Sequence, residues 1–302
     1  MSKAKRVKKR KLNKVLKRHR LGFYQIYPLP SEEKLKKYYR DKYYQNPEVA
    51  TYSRKYSRLE LTLGKTACEV TDYILKKTVP KDRKTVLDVG CGEGFFLKGL
   101  ERLNWRIAGT DYSSAGIKLH NPSILKKIRI GPAQVVLGEL VNENRRFSLI
   151  NLGNILEHVL DPISLLKMVR PLLLTNGVLR VVVPNDASGF QKLLKNAKRS
   201  RDSWIHPPDH LSYFNFQSLI TVLSYCRYTP FLTQGDFPIE LFLLNKYSNY
   251  EIQAARGAEA HLARVKTVNF VRSHGIEKYI QWAAGLAAGG TSRSCIVFAR
   301  KK

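Results

Sequence analysis

Three closely spaced glycines and an acid form the segment of this sequence with the clearest chemical meaning. Asp88 lies inside the end of a short apolar run, and Gly90, Gly92 and Gly94 follow at alternate positions. Glycine allows tight turns with positive φ and a close approach of the backbone to a ligand. A helix predicted from Phe95 would present free N–H groups and the positive end of its dipole to a carboxylate or phosphate. The segment therefore predicts a binding loop for a small charged ligand.

The spacing of the glycines distinguishes this loop from a dinucleotide-binding loop. A dinucleotide-binding loop has the pattern GxGxxG, whereas this chain has GxGxG, with Cys91 inside the loop and Phe96 where Gly or Ala would stand. The pattern therefore argues against an NAD-dependent oxidoreductase. We expect Cys91 to be part of the binding loop.

A further acid follows the second predicted strand. Asp111 lies 21 residues after Gly90 and precedes Tyr112. A carboxylate at this place in a nucleotide-binding fold can accept hydrogen bonds from both ribose hydroxyls. The alternative is that Asp111 only caps the next helix, in the sequence Asp-Tyr-Ser-Ser.

Two histidines are the candidates for proton transfer, because the imidazole pKa is near neutral. His158 follows the fourth predicted strand, at the edge where ligands bind in open α/β sheets. His210 lies in a loop that we expect to fold back over the same face. The alternative for each is a packed histidine that hydrogen-bonds to the backbone.

Several motifs together resemble one family. The segment from Asp88 to Gly94 resembles motif I of class I S-adenosylmethionine (SAM)-dependent methyltransferases. Residues 151–162 resemble the "LEHV-DP" signature of the ubiquinone-biosynthesis-like and related small-molecule and sugar methyltransferases. Residues 177–185 match the strand that follows in that group, and residues 209–216 resemble its "DHLYYF" segment. The resemblance spans roughly residues 28–228.

The resemblance implies SAM as the cofactor and a role for each matching position. Asp88 would hold the methionine amino group, Asp111 the ribose, and Glu139 with Leu140, after the third strand, the adenine. The expected cofactor-binding residues are Asp88, Gly90, Cys91, Gly92, Gly94, Asp111, Tyr112, Glu139, Leu140, Gly153 and Asn154. Some members carry a metal-binding acid where this chain has Asn154, so we expect no metal.

Strands alternate with helices from Thr85 onward, which predicts an α/β fold with a mostly parallel sheet. The resemblance makes this the Rossmann-like class I methyltransferase sheet, with an antiparallel last strand. The predicted strands are 86–89, 106–110, 134–137, 147–152, 178–183, 229–233, 239–244 and 294–299.

The expected organisation has three parts. Residues 1–20 form a basic tail, residues 21–80 a helical N-terminal region, and residues 81–302 the methyltransferase domain, with a helical insertion at about 250–288.

The charge of the chain points to anionic partners. The formal net charge is +29, and the first twenty residues hold eleven Lys or Arg and no acid. Such a tail favours contact with RNA, lipid headgroups or an acidic glycan; the alternative is a solvated tail.

No apolar run reaches membrane-spanning length, and the four cysteines are far apart, which favours a reducing, cytoplasmic setting.

We therefore expect a SAM-dependent methyltransferase that acts on a small-molecule or saccharide acceptor at oxygen, with His158 and His210 as catalytic residues. Two alternatives stay open at this point. One is an RNA methyltransferase, which the charge favours, although the fourth strand lacks the Asn/Asp-Pro-Pro-aromatic motif of enzymes that methylate base amino groups. The other is a non-catalytic binding protein with the same fold.

Overall fold

The computed structural model describes residues 15–38, 55–76, 78–186, 188–200, 205 and 207–302. Most of the predicted basic tail, residues 1–14, therefore lies outside the described residues. The strands are β1 (Val15–Arg18), β2 (Tyr24–Tyr27), β3 (Thr85–Val89), β4 (Arg106–Asp111), β5 (Ile128–Ile130), β6 (Phe147–Gly153), β7 (Leu173–Pro184), β8 (Ser212–Tyr213), β9 (Tyr228–Gly235) and β10 (Ser294–Lys301). The helices are α1 (Glu32–Tyr38), α2 (Arg58–Leu75), α3 (Phe95–Glu101), α4 (Ala115–His120), α5 (Ala133–Asn142), α6 (Pro162–Val169), α7 (Gly189–Asn196), α8 (Phe216–Tyr225), α9 (Leu241–Leu244), α10 (Arg256–Ser273) and α11 (Ile276–Ala288).

Seven strands form the central sheet, in the order β5-β4-β3-β6-β7-β10-β9. The pairs among β3, β4, β5, β6 and β7 are parallel, and β10 is antiparallel to both of its neighbours. This topology confirms the predicted Rossmann-like class I sheet with an antiparallel last strand. Because β4, β3 and β6 are neighbours, their carboxyl ends meet at one place on the sheet edge.

Alternation along β3 explains why the sheet is covered on both faces. Val86 packs into one hydrophobic cluster, whereas Leu87 and Val89 pack into another. A β-strand points successive side chains to opposite faces, so a run of apolar residues requires a layer of helices on each side. Each fully buried aliphatic side chain contributes about 1.5–3 kcal/mol.

Helix α6 begins directly after an aspartate N-cap. Asp161 is the N-cap and its Oδ1 accepts hydrogen bonds from the N–H groups of Ile163 and Ser164, with Pro162 at the first helical position. An aspartate N-cap satisfies donors that the first helical turn leaves open, and proline loses nothing at this position. This cap fixes the chain just after His158.

Two predicted strands are wrong. The third strand is Ile128–Ile130, and residues 134–137 lie instead in α5, where Val136 and Leu137 share the buried face of the helix. A short apolar run fits a buried helix turn as well as a strand, which is the reason for the error. Residues 239–244 also form a short helix, α9, rather than a strand.

The predicted helical region, residues 21–80, begins with a strand, β2. Strand β2 forms an antiparallel hairpin with β1, which lies in the last part of the predicted basic tail. Strand β8 pairs with β2 to complete a small three-stranded sheet. Gln25 Nε2 donates to the carbonyl of Leu160 and to Ser212 Oγ. The hairpin thus connects the segment after β6, which contains His158, to the segment before α8, which contains His210.

Helices α10 and α11 occupy the predicted insertion, between β9 and β10, and both pack against α2. The four cysteines are free and buried; the cytoplasmic setting stays a prediction. Among the described residues, no helix combines the length and apolarity needed to cross a bilayer.

Candidate functional site

The glycine loop has the conformation that its sequence predicts. Gly90, Gly92 and Gly94 all have positive φ, at 72°, 55° and 77°. A Cβ added at Gly90 would lie 2.9 Å from Ile155 Cδ1, and one at Gly94 would lie 2.8 Å from Ile124 Cδ1. The positive φ therefore favours glycine at these two positions, and any side chain there would also require the isoleucine methyl group to shift.

Asp111 fastens this loop to the end of β4. Its Oδ2 accepts a hydrogen bond from the N–H of Gly92 at 2.8 Å, and its Oδ1 accepts one from the N–H of Ser113 at 3.0 Å. The second bond is a local turn and not the helix cap of the alternative interpretation, because the N-cap of α4 is Ser114. Asp111 is therefore placed at the loop, as expected, and its contact with ribose stays a prediction.

The other predicted positions fall into two groups. Tyr112 is exposed beside Asp111, Gly153 ends β6, and Asn154 follows with a positive φ of 54°. These three lie at the carboxyl edge of the sheet, near the glycine loop. Cys91 lies in the loop, but its side chain is buried and burial raises the pKa of its thiol, so only its backbone is available to a ligand.

Glu139 and Leu140 do not stand where the sequence analysis placed them. Both lie in α5, not after a strand; Leu140 is buried in the core, and the Glu139 carboxylate lies 3.5 Å from the Arg129 guanidinium at the surface. The residues that follow the true third strand are Gly131 and Pro132. The prediction that Glu139 and Leu140 follow a strand is therefore wrong, and their contact with adenine stays a prediction.

A hydrogen-bonded row extends from Asp88 into the sheet. Asn151 Nδ2 donates to Asp88 Oδ1 at 2.6 Å, and Arg180 Nη1 donates to Asn151 Oδ1 at 2.7 Å. All three residues are buried. Burial raises the pKa of Asp88 to about 7, against the opposing effects of Asn151 and Arg180.

The structure brings the two predicted histidines together. The rings of His158 and His210 are 4.9 Å apart between centroids, in an edge-to-face arrangement at 82°. The N–H groups of Leu211 and Ser212 both donate to the carbonyl of Glu157, at 2.7 and 3.1 Å. These bonds hold the His210 loop against the end of β6, as the sequence analysis expected.

Acidic groups surround His158. Its Nδ1 lies 2.8 Å from the backbone oxygen of Asp209 and 3.4 Å from the carboxylate of that residue, and its Nε2 lies 3.8 Å from Glu157 Oε1. Burial alone would lower the pKa of His158, but the hydrogen bond to Asp209 and the charges of Glu157 and Asp209 raise it to about 9. Burial also raises the pKa of Glu157 to about 7.

The Asp209 carbonyl decides the tautomer of His158. A carbonyl oxygen can only accept a hydrogen bond, so His158 Nδ1 must carry the proton in that 2.8 Å contact. The neutral form of the ring then has its lone pair on Nε2. His158 can therefore take up a proton at Nε2 while Asp209 keeps the ring in place.

Glu157, His158 and His210 also offer one donor atom each within 4.8 Å of one another. Both carboxylate oxygens of Glu157 are buried without a hydrogen-bond partner among the described residues. Such a set suits a divalent cation. The expectation of no metal considered only Asn154 and not these donors; it stays a prediction.

Sequence reasoning missed Asn151, Arg180 and Asp209 as site residues. Arg180 stands in the apolar run from Val178 to Val183, where a lone charge was a visible signal. Nothing in the spacing indicated its link to Asp88, because that link depends on the strand order β3-β6-β7.

The sequence of this chain is similar to those of known methyltransferases. A family model described as "Methyltransferase domain" matches residues 59–224, more than half of the chain. Curated relatives with the name ubiquinone biosynthesis O-methyltransferase include the following two. The protein from Histophilus somni is 26% identical over 55% of this chain and 76% of its own length. The protein from Pasteurella multocida is 30% identical over 35% of this chain and 49% of its own length, so that match spans about half of the relative.

Solved structures agree on the fold. Magnesium protoporphyrin IX methyltransferase from Synechocystis, with S-adenosylhomocysteine (SAH) bound, superposes with a TM-score of 0.52 at 10% identity, covering 90% of this chain and all of that one. The plantazolicin methyltransferase BamL, in complex with a triazolic desmethylPZN analogue and SAH, gives a TM-score of 0.51 at 12% identity, covering 89% of this chain and 94% of that one. At these identities the likeness shows the fold alone.

Proposed function

The chain belongs to the methyltransferase-domain family and is a class I SAM-dependent methyltransferase, and on that premise we propose that it methylates a hydroxyl oxygen of a small-molecule or glycan acceptor. The observation that carries this proposal is the His158–Asp209 contact. His158 lies in the segment after β6, and Ile155 of that segment lies against Gly90 of the glycine loop. The contact supplies the base that a hydroxyl group needs and that an already nucleophilic amine or thiolate needs less.

The residues at the sheet edge fit SAM. A side chain at Gly90 or Gly94 would collide with a neighbouring isoleucine, so the loop keeps a backbone cradle open. Asp88 would hold the ammonium group of the methionine moiety and Asp111 the ribose. SAM supplies a methyl group on a sulfonium, which is activated for in-line displacement.

The chain contributes alignment and proton removal. His158 Nε2 accepts the hydroxyl proton while Nδ1–H donates to the Asp209 carbonyl. The Asp209 carboxylate, 3.4 Å from Nδ1, stabilises the imidazolium that forms. His210 stays a second candidate catalytic residue, because its ring touches that of His158.

A phenolic hydroxyl suits this base best among small-molecule acceptors. A phenol has a pKa of about 10, close to the value of about 9 for His158. When the pKa values of the donor and the acceptor are close, proton transfer between them costs little free energy. The relatives named O-methyltransferases support an oxygen acceptor.

Methyl transfer from labelled SAM tests the proposal, with simple phenols, catechols and sugars as acceptors. We expect transfer to a hydroxyl by the wild-type protein and a 10²–10⁴-fold loss of kcat in His158→Gln, the usual contribution of a positioned base. His274→Gln is the matched control, because His274 is exposed at the end of α10 and bonds only to its own helix. Equal rates in the two variants would contradict the role of His158.

We further propose that the basic N-terminal tail binds an anionic partner. Eleven Lys or Arg without an acid in residues 1–20 support this. Binding to RNA, anionic vesicles and acidic glycans would be compared at rising salt, where each Lys or Arg that neutralises a phosphate steepens the salt dependence of the affinity. A variant without residues 1–14 should therefore bind more weakly and with a shallower salt dependence. Equal affinity of that variant would contradict the proposal.

A further inference from the structure

Polar side chains cross the middle of the central sheet, where apolar residues are the rule. Asp88 on β3, Asn151 on β6 and Arg180 on β7 are direct cross-strand neighbours in register. An amide donates through its nitrogen and accepts through its oxygen, so Asn151 connects the carboxylate at 2.6 Å to the guanidinium at 2.7 Å.

From this geometry we infer that Arg180 is a positioning residue for cofactor binding: through Asn151 it keeps the Asp88 carboxylate ionised and oriented toward the ammonium group of SAM. The inference rests on the proposed role of Asp88.

Aromatic contacts offset only part of the free-energy cost of burying a cation at this position. Arg180 is buried between the rings of Phe96 and Phe298, whose centroids lie 5.0 and 5.8 Å from the guanidinium carbon. Its Nε has no hydrogen-bond partner among the described residues. Burial of a guanidinium costs several kcal/mol, and apolar residues of similar volume often replace buried ion pairs without loss of stability. The buried charge of Arg180 instead stabilises the Asp88 carboxylate, to which Asn151 connects it.

Among the charged groups near Asp88, Arg180 is the one that favours its ionised form. The titratable groups facing the pair come from α2, α11, β4 and the glycine loop, and they are Cys68, Tyr279, Asp111 and Cys91. Burial raises the pKa of Cys68 and of Tyr279 to about 12, so both are uncharged at neutral pH. Asp111 adds a negative charge, which raises the pKa of Asp88 further.

Asn151 also selects the orientation of the carboxylate. It engages Oδ1 of Asp88, and Oδ2 makes no hydrogen bond to the described residues. A fixed Oδ1 therefore leaves Oδ2 for the ligand. Loss of the cation would raise the pKa of Asp88, and a protonated Asp88 would no longer attract an ammonium group.

Calorimetric titration of SAH between pH 6 and 8.5 tests the inference in Arg180→Met and Arg180→Lys. In the wild-type protein we expect affinity to weaken below about pH 7, the pKa of Asp88. In Arg180→Met the pKa of Asp88 rises by about one unit, the lower end of the effect of a neighbouring charge. The ionised fraction of Asp88 at pH 7 then falls about fivefold, so SAH binds about fivefold more weakly at pH 7 and nearly normally at the highest pH. Arg180→Lys, which keeps the charge, restores part of the affinity at pH 7.

Three further variants make the result decisive. Arg180→Met in an Asp88→Asn background should change affinity no further, because the two substitutions act on one interaction. Ser148→Ala, on the same strand β6, removes buried hydrogen bonds to Arg83 and Thr85 and should lower the melting temperature without changing SAH affinity. Asn151→Ala should reproduce the pH effect with Arg180 intact, and it decides the question if Arg180→Met does not fold.

The outcomes are distinguishable. A folded Arg180→Met with wild-type affinity at every pH would overturn the inference alone. Equal SAH affinity of Asp88→Asn and the wild-type protein would instead overturn the role of Asp88 in the proposed function.

Discussion

Replacement of Asp209 by Asn tests the base directly. The substitution removes the carboxylate 3.4 Å from His158 Nδ1 but keeps the backbone oxygen that fixes the tautomer at 2.8 Å. An adjacent carboxylate changes a pKa by about one to three units. We therefore expect the pKa of His158 to fall from about 9 by about one to two units, or about 1.4–2.7 kcal/mol of imidazolium stabilisation.

The pH dependence of kcat/KM is the assay. If His158 is the base in the free enzyme, kcat/KM of the wild-type protein rises about tenfold per pH unit and levels off near pH 9. In Asp209→Asn it levels off one to two pH units lower, and the plateau is lower because the base is weaker. At pH 7 a larger fraction of His158 is then neutral, so the loss there is smaller than at pH 9. NMR titration of the His158 ring gives the pKa independently. A wild-type profile that is flat between pH 7 and 9, or a break that Asp209→Asn does not move, would refute the reasoning.

Three further predictions concern the cofactor cradle and the metal question. Asp111→Ala should weaken SAH binding by an order of magnitude or more, about 1.5–3 kcal/mol for a buried charged hydrogen-bond pair; calorimetry measures this, and unchanged affinity would remove the ribose assignment. Gly94→Ala should abolish measurable SAH binding, because it combines a φ of 77° with a 2.8 Å approach to Ile124; the melting temperature is the control for folding, and normal binding would show that the loop is less constrained than described. Dialysis against EDTA should leave methyl transfer unchanged, because His158 acts as the base without a metal; loss of activity that Mg²⁺, Mn²⁺ or Zn²⁺ restores would assign the Glu157–His158–His210 donors to a cation instead.

The glycine loop could be predicted from the sequence because its signal is local. Positive φ at Gly90 and Gly94 follows from the residue type and the strand–loop–helix context. The approach of His210 to His158 followed from the resemblance of its tract to a known segment, since no periodicity connects residues so far apart.

The third strand and the Arg180 row could not be predicted, for two different reasons. Residues 134–137 have the apolar pattern of both a strand and a buried helix turn, and only the pairing of Ile128–Ile130 with β4 decides which segment joins the sheet. The contact of Arg180 with Asn151 depends on which strands are neighbours and on their register, neither of which the chain shows locally.

The most direct test of the account is methyl transfer from SAM carrying a ¹³C-labelled methyl group, followed by NMR of the product. We predict a single O-methyl resonance on a hydroxyl acceptor with the wild-type protein, and its loss in His158→Gln although SAH still binds that variant. An N-methyl or S-methyl product, or an O-methyl signal of equal rate in His158→Gln, would contradict the assignment of His158 as the base for methylation of oxygen.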